Sequence, residues 1–581
     1  MVATQPVSPW NSITDSLHRD SIVRSQATRA TWFPWGRRAG CAHLFATCIA
    51  ILTTLQGFTA QGDEATGPSL RALANHGIPV IEPSLFGVTS DVLIPITSRH
   101  YTPGLVDLLA DVRVPFSLKL NPDVSPTRAD LERIAALPHL AGVELPATQM
   151  DLRNVFVLAG APSITSLYVS DVDLRGMDCA ALRSLLSVRY LCLDRSVLDD
   201  PEWHCISAAV NLEHLSCDDM ALPPAAWLAM RSLPRLRALT IGGPNLSQKD
   251  IQNLLRIDGL SALTINQAAL TVDHMDALSQ FTNCRSLTLE FTTIENSSLR
   301  PLARLSHLRE LNVTATEMSA RDISSLSQLK DLATLDLSDS GLDDDGLEDV
   351  AELHGLRSLR IERCPAISDT GFMALGALSA LENLEVSGGH ISSQGFATVL
   401  AMPKLQSLRA YGVDVTDDVL SKLPELRELR RLALYMPHPA NAAADVARKM
   451  LSIGRLASLE ELEVSGIKQN AETLSTISHL AMLKKLVVRD SGLLSHDLVG
   501  LEGLANLESL DISGNVLIDD GVIEALSHLP KLKTLRVETD KISEAGLRAL
   551  GEKYLIRLPD ETVIPGVFHY LFEAPSTESL D

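Results

Sequence analysis

The sequence predicts an α/β solenoid, an open arc of stacked units with a parallel β-sheet on its concave face and short helices on its convex face. Three observations carry this expectation. First, an aliphatic marker recurs every 24 residues, at Val143, Leu167, Leu191, Leu215, Leu239, Leu263, Leu287, Leu311, Leu335 and Leu359. Second, the marker sits in an L-x-L alternation, which has the two-residue period of a strand and puts both leucines on one face. Third, a Ser, Thr or Asp eight to ten residues later (Asp200, Asp344, Asp369, Asp417, Asp519) precedes aliphatic residues at about three-residue spacing, the pattern of an N-capped short helix. One strand and one helix cannot enclose a core alone, so the units have to stack and share one.

The register reaches back to Leu118 and Ile94, and forward with small slips through Leu384, Leu408, Leu432, Leu462, Leu486, Leu510 and Leu535, which makes nineteen units. Parallel strands about 4.8 Å apart would extend such a sheet over roughly 90 Å. A globular chain of 581 residues would suggest several domains, but a solenoid escapes that rule because each unit touches only its neighbours. The expected organisation is an N-terminal extension without packed structure over 1–38, an apolar segment at 39–62, an N-terminal cap at 63–91, the repeat array at 92–558 and a C-terminal cap and tail at 559–581. The apolar segment holds no Asp, Glu, Lys or Arg, follows Arg37 and Arg38, and ends in Ala60-Gln61-Gly62, which reads as a secretory signal cut before Asp63. Retained, a run of about 20 residues would serve as a membrane anchor.

One unit, "LATLDLSDSGLDDDGLEDVAELHG" at residues 332 to 355, first suggests a calcium loop. The EF-hand spacing fails, because counting back from Gly346 puts Gly341 where the first oxygen ligand belongs. Its carboxylates divide instead by position. Asp336, between two core leucines, points out of the inner sheet, whereas Asp344 and Asp345 stand at a helix start, where backbone N–H groups and the helix dipole favour a negative charge.

The segments "LENLEVSGGHISSQGF", "LESLDISGNVLIDDGV" and "LRSLRIERCPAISDTGF" share L-x-x-L-x-L followed by a small polar residue and an aliphatic. In this the chain resembles the leucine-rich repeat proteins, over about residues 92–558. The I-[ST]-D-x-G variant is similar to repeats of large bacterial secreted proteins, and more loosely to ribonuclease-inhibitor-type horseshoes. One departure matters. The asparagine often found five residues past the marker occurs only at Asn515, and Thr292, Thr316, Ser340, Cys364 or Gly389 hold that place elsewhere. The inner turn must therefore be satisfied by other groups.

The formal net charge of −22 disfavours nucleic acid, whose phosphates need a Lys/Arg surface, and suits a basic or neutral protein partner. Cys179, Cys192, Cys205, Cys217, Cys284 and Cys364 show no C-x-x-C and no zinc spacing, so buried free thiols are expected. Around Cys192, His204, Cys205, His214 and Cys217 the register turns Cys192 and His214 outward and Cys217 to the core, so these groups do not converge on one ion. No G-x-S-x-G, H-E-x-x-H, G-x-x-x-x-G-K-[ST] or post-strand G-x-G-x-x-G occurs, and the flanks of the array are too short for a catalytic domain. The expectation is a non-enzymatic scaffold without cofactor or metal.

Function then has to come from the concave face, formed by residues just before, just after and three after each marker. These include Tyr168, Tyr190, Cys192 and His214, then Thr240, Thr264, Thr288, Glu290, Glu310, Asn312 and Asp336, and further on Arg360, Glu362, Arg409, Tyr411, Arg431 and Tyr435. Tyr and Arg concentrate binding energy at interfaces because they bring large area with a polar handle. The step from Leu432 to Leu462 is 30 residues and includes the proline-broken "YMPHPANAAAD". Insertions in solenoids gather on one, often binding, face. The expected partner-binding residues are Arg360, Arg409, Tyr411, Arg431, Tyr435 and His438. The expected function is an exported recognition scaffold for a protein or cell-surface polymer; the alternative is an intracellular adaptor or delivered effector that captures a target protein.

Overall fold

The computed structural model describes Leu73 and residues 92–557, except 99, 103, 122, 146–156, 159, 178–184, 296–298, 317–322, 414, 436–442 and 539. The expected extension, apolar segment and C-terminal cap, and all of the N-terminal cap but Leu73, lie outside these residues.

Among the described residues twenty parallel strands form one open sheet, each unit's strand paired with those of the units before and after it, from Val92–Ile96 to Leu555–Arg557. All nineteen markers fall in strands and align directly, as in Leu311, Leu335, Leu359 and Leu384 across four of them. The twentieth strand, where Ile556 pairs with Leu535, was not expected. Three residues directly after a helix are too short to show an alternation. The markers are buried, Leu335 to 1 % exposure, because every unit lays its apolar strand face against the helices of the same continuous core.

The outer elements are short, some α-helical, such as Asp344–Ala351, and some 3-10, such as Ser324–Gln328. Capping follows the expected chemistry but at a shifted position. Asp343, not Asp344, is the N-cap, accepting the Gly346 N–H at 3.1 Å. Asp344 instead reaches into the next unit and accepts the Ser368 N–H at 2.7 Å. Asp369 does the same to Ser392 at 2.7 Å, and Asp520 to Ser543 at 2.8 Å. Stacking, which spacing within one unit does not reveal, turns a local cap into a staple between units.

The inner turns also differ in chemistry. Asn515 accepts the N–H groups of Ser491 and Leu493, each at 3.0 Å, and donates to the Val488 carbonyl at 2.8 Å. Where asparagine is missing, hydroxyls serve: Thr316 donates to the Leu289 carbonyl at 3.0 Å and Ser340 to that of Leu337. Four residues past the marker the backbone turns left-handed in most units, at glycine in some and at Asp171, Arg195, Asp219, Gln267, Phe291, Ala315, Asp339, Arg363 and Asp490 in others. Such a conformation costs a non-glycine residue roughly 1–2 kcal/mol, so stacking of the turns must over-determine it.

Cys192, Cys217, Cys284 and Cys364 are free and buried. Cys205 is disulfide-bonded, which corrects the expectation of free thiols throughout. Pairing depends on which thiols the fold brings together, and no C-x-x-C spacing marks it here. Among the described residues no helix is long and apolar enough to cross a membrane.

Candidate recognition surface on the concave face

Residues one past the marker form a row across the sheet: Asp336, Arg360, Glu385, Arg409, Ala433, Glu463, Val487, Asp511 and Arg536. Because strands are about 4.8 Å apart, neighbouring charges in this row meet. Arg360 lies 3.5 Å from Glu385 and 2.9 Å from Glu362, and Arg409 lies 3.1 Å from Glu385. Further on, Asp511 takes Arg489 at 2.6 Å and Arg536 at 3.8 Å. Burial works against the charge of Arg360, but the Glu385, Asp336 and Glu362 carboxylates overcome it and hold the guanidinium protonated. Burial pushes the Glu362 carboxyl up to about 7, against the pull of Arg360. Arg360 and Arg409 are therefore already engaged by the chain's own acids.

The row has a break at Ala433. A methyl between the long Arg409 and Glu463 side chains leaves a recess lined by Arg409, Arg431, Ala433, Glu461, Glu463, Lys485 and Val487. Arg431 makes no ion pair among the described residues, and its hydrogen bond is a long one, 3.4 Å to Asn383 Oδ1. Burial works against the Lys485 ammonium and raises the Glu463 carboxyl, so the recess is both desolvated and charged.

Beside it Tyr411 and Tyr435 face each other in register on the strands Ser407–Tyr411 and Arg431–Tyr435. Burial, then the Glu463 charge, raises the Tyr411 phenol well above its ordinary range, so it stays a neutral donor. Tyr435 lies over Gly466, where a Cβ would come within 3.1 Å of the ring and φ is +79°. Glycine there meets both a left-handed turn and a close ring.

Arg409, Tyr411, Arg431 and Tyr435 thus share adjacent strands, and Arg360 stands two strands from Arg409 with Glu385 between them. His438 lies outside the described residues. The sequence reading did not pick out Ala433, Glu461, Glu463 or Lys485. Aligning the row residue by residue would have shown the gap, since the signal is a small side chain among large ones.

The first third of the concave face is closed rather than open. Tyr168 and Tyr190 rings lie 4.8 Å apart and Tyr190 and His214 6.0 Å apart, and with Cys192 all are buried. Cys192 and His214 do stand on the concave side, as expected, but neighbouring rings shield them from solvent. Burial pushes the His214 imidazole down to about 4, so it is neutral at pH 7. Thr240, Thr264 and Thr288 are buried in the adjoining strands. Among the described residues no group of three or more His, Cys, Asp or Glu is arranged to hold a metal ion.

Residues 268–545 match a family model described as a leucine-rich repeat region. Among solved structures, the chain is similar to an internalin from Listeria monocytogenes, with 19 % identity over 55 % of this chain and 90 % of that one and a TM-score of 0.35. It is also similar to the TLR13–ssRNA13 complex, with 17 % identity over 80 % of this chain and 71 % of that one and a TM-score of 0.48. At these identities the likeness is one of fold. No curated protein matches the chain by sequence.

Proposed function

This chain is a leucine-rich repeat protein, and from that premise we propose that it is a non-enzymatic recognition scaffold holding a protein or cell-surface polymer against its concave face. The observation that carries the reading is the recess over Ala433, set beside the in-register Tyr411 and Tyr435 and rimmed by Arg409, Arg431 and Lys485. Large amphipathic side chains around a desolvated hollow are what interface hot spots are made of. Arg431, which pairs with no carboxylate among the described residues, is the group most ready to take one from a partner.

Export is the compartment we propose. The Cys205 disulfide supports it, since such bonds persist in oxidising surroundings, and so does the uncharged run 39–62 behind Arg37 and Arg38. N-terminal sequencing of the native product tests this: a start at Asp63 fits a cleaved signal, and an intact Met1 favours the adaptor or effector reading. The net charge of −22 speaks for a protein partner over a nucleic acid.

The deciding experiment is capture from the native source with the full chain as bait and the Tyr411→Ala/Arg431→Ala chain as control. Capture lost in the control with unchanged thermal unfolding supports the site. Equal capture by both chains overturns it.

A further inference from the structure

One residue before the marker, a second row crosses the concave side through Tyr190, His214, Ala238 and Ala262 on consecutive strands. The first two carry rings. His214 stacks on Tyr190 with centroids 6.0 Å apart and planes 25° from parallel, so a ladder of rings advances from strand to strand. At Ala238 and Ala262 the ladder stops, and those positions hold only methyl groups. Its end borders a hollow lined by Tyr190, His214, Ala238, Thr240, Ala262 and Thr264.

Two groups in the wall of this hollow have bonding capacity left over. His214 is 7 % exposed, and burial keeps its imidazole neutral at pH 7, with one N–H donor and one nitrogen acceptor. Neither makes a hydrogen bond among the described residues. Thr264 is 1 % exposed, and its hydroxyl likewise has no partner among them. Buried polar groups are costly to leave unpaired, so the pair points to a ligand that both donates and accepts.

The lining narrows the chemistry of that ligand. No Asp, Glu, Lys or Arg borders the hollow, unlike the recess over Ala433, so a charged group would enter it without a counter-charge. A hydroxyl donates and accepts at once, and can answer an imidazole and a threonine hydroxyl together. On the next strand the buried Ser286 and Thr288 hydroxyls, also without partners among the described residues, continue the same uncharged surface. Hydroxyls spread over two strands favour a ligand with several hydroxyls over a single side chain of a protein partner. The methyl floor and ring wall suit C–H groups. Adjacent hydroxyls on a compact, uncharged C–H frame are the chemistry of a neutral sugar.

We propose that this hollow is a subsite for a neutral sugar unit of a glycan. A sugar hydroxyl exchanges hydrogen bonds with the His214 imidazole and the Thr264 hydroxyl, and the C–H surface of the sugar lies against Ala238 and Ala262. The subsite stands about eight strands from the recess over Ala433 and does not depend on the reading of that recess.

The test presents the full chain to an array of immobilised neutral, sulfated and carboxylated glycans, followed by calorimetric titration with the neutral oligosaccharide that retains it best. The parent should bind that oligosaccharide saturably. His214→Phe keeps a ring in the stack but removes both nitrogens, and should weaken binding at least tenfold. Thr264→Val keeps the shape but removes the hydroxyl, and should weaken it severalfold. Ala238→Leu fills the hollow and should abolish binding. The Tyr411→Ala/Arg431→Ala chain should bind the sugar as the parent does, so that a failure of the recess reading leaves this one standing. Thermal unfolding checks that each variant is folded. Retention by no neutral glycan, retention confined to charged glycans, or a folded His214→Phe or Thr264→Val chain that binds as the parent does overturns the proposal and leaves the hollow to water or to a protein side chain.

Discussion

The Asp344 carboxylate accepts the backbone N–H of Ser368 at 2.7 Å, one repeat further along the chain. A residue that begins one helix thereby caps the start of the next. In a solenoid, stability is the sum of unit terms and interface terms, and this contact belongs to the interface. Asp344→Ala should therefore cost about 1–2 kcal/mol, the worth of a lost cap, and chemical denaturation should show it. Against the opposing effect of burial, the hydrogen bonds from the Ser368 hydroxyl and then from the Ser368 and Gly371 backbone N–H groups hold the Asp344 carboxyl below its ordinary value. Its contribution is present above the unfolded pKa and is lost as pH falls through the native one, so the gap between parent and variant should close in acid.

Leu335, 1 % exposed, packs between Leu311 and Leu359 in the aligned marker row. Leu335→Ala should cost about 2–5 kcal/mol by leaving a cavity. Because each unit touches only its neighbours, amide exchange should quicken in the units around Leu335 before those near either end of the array. A uniform loss of protection would contradict the one-dimensional picture.

The double substitution Tyr411→Ala/Arg431→Ala should weaken capture of the native partner by about 2 kcal/mol or more while leaving thermal unfolding nearly unchanged. A complementary change fills the recess instead of stripping its rim. Ala433→Phe puts a ring where Arg409 and Glu463 flank a methyl, and should abolish capture with every rim residue intact. Binding that survives Ala433→Phe would place the contact elsewhere on the face.

Burial pushes the Asp218 and Glu362 carboxyls up to about 7. Unfolded carboxyls titrate near 4, so between about pH 4 and 7 the native chain holds more protons than the unfolded one, and stability falls as pH rises through that window. Tm should be higher at pH 5.5 than at pH 8. Asp218→Asn and Glu362→Gln should each flatten that slope. A Tm that climbs from pH 5.5 to 8 and is insensitive to both changes would show that these groups ionise freely.

Much of the fold was legible beforehand because its determinants are local and repeated. An aliphatic alternation states which face of a strand is apolar, and recurrence at a fixed step states that one face stacks on the next, which is why every marker from Ile94 to Leu535 lies in the sheet. The concave assignment of Arg360, Arg409, Tyr411, Arg431 and Tyr435 follows from the same parity. Less legible was what those side chains meet. That Arg409 is held by Glu385, and that Ala433 opens a hollow beside it, depends on residues 24 apart becoming neighbours at strand spacing.

The sequence by itself determined the solenoid, its register and the identity of the two faces, because hydrophobic period and strand parity are properties of the chain taken one unit at a time. Only the tertiary structure decided that Asp344 caps its neighbour's helix, that Tyr168, Tyr190 and His214 close upon one another, that Cys205 is bonded, and that Asn266 meets the buried Asp218 carboxyl from two strands away. Each of these is a contact between units, set by the spacing and curvature of the stack, and no single repeat carries the information for it.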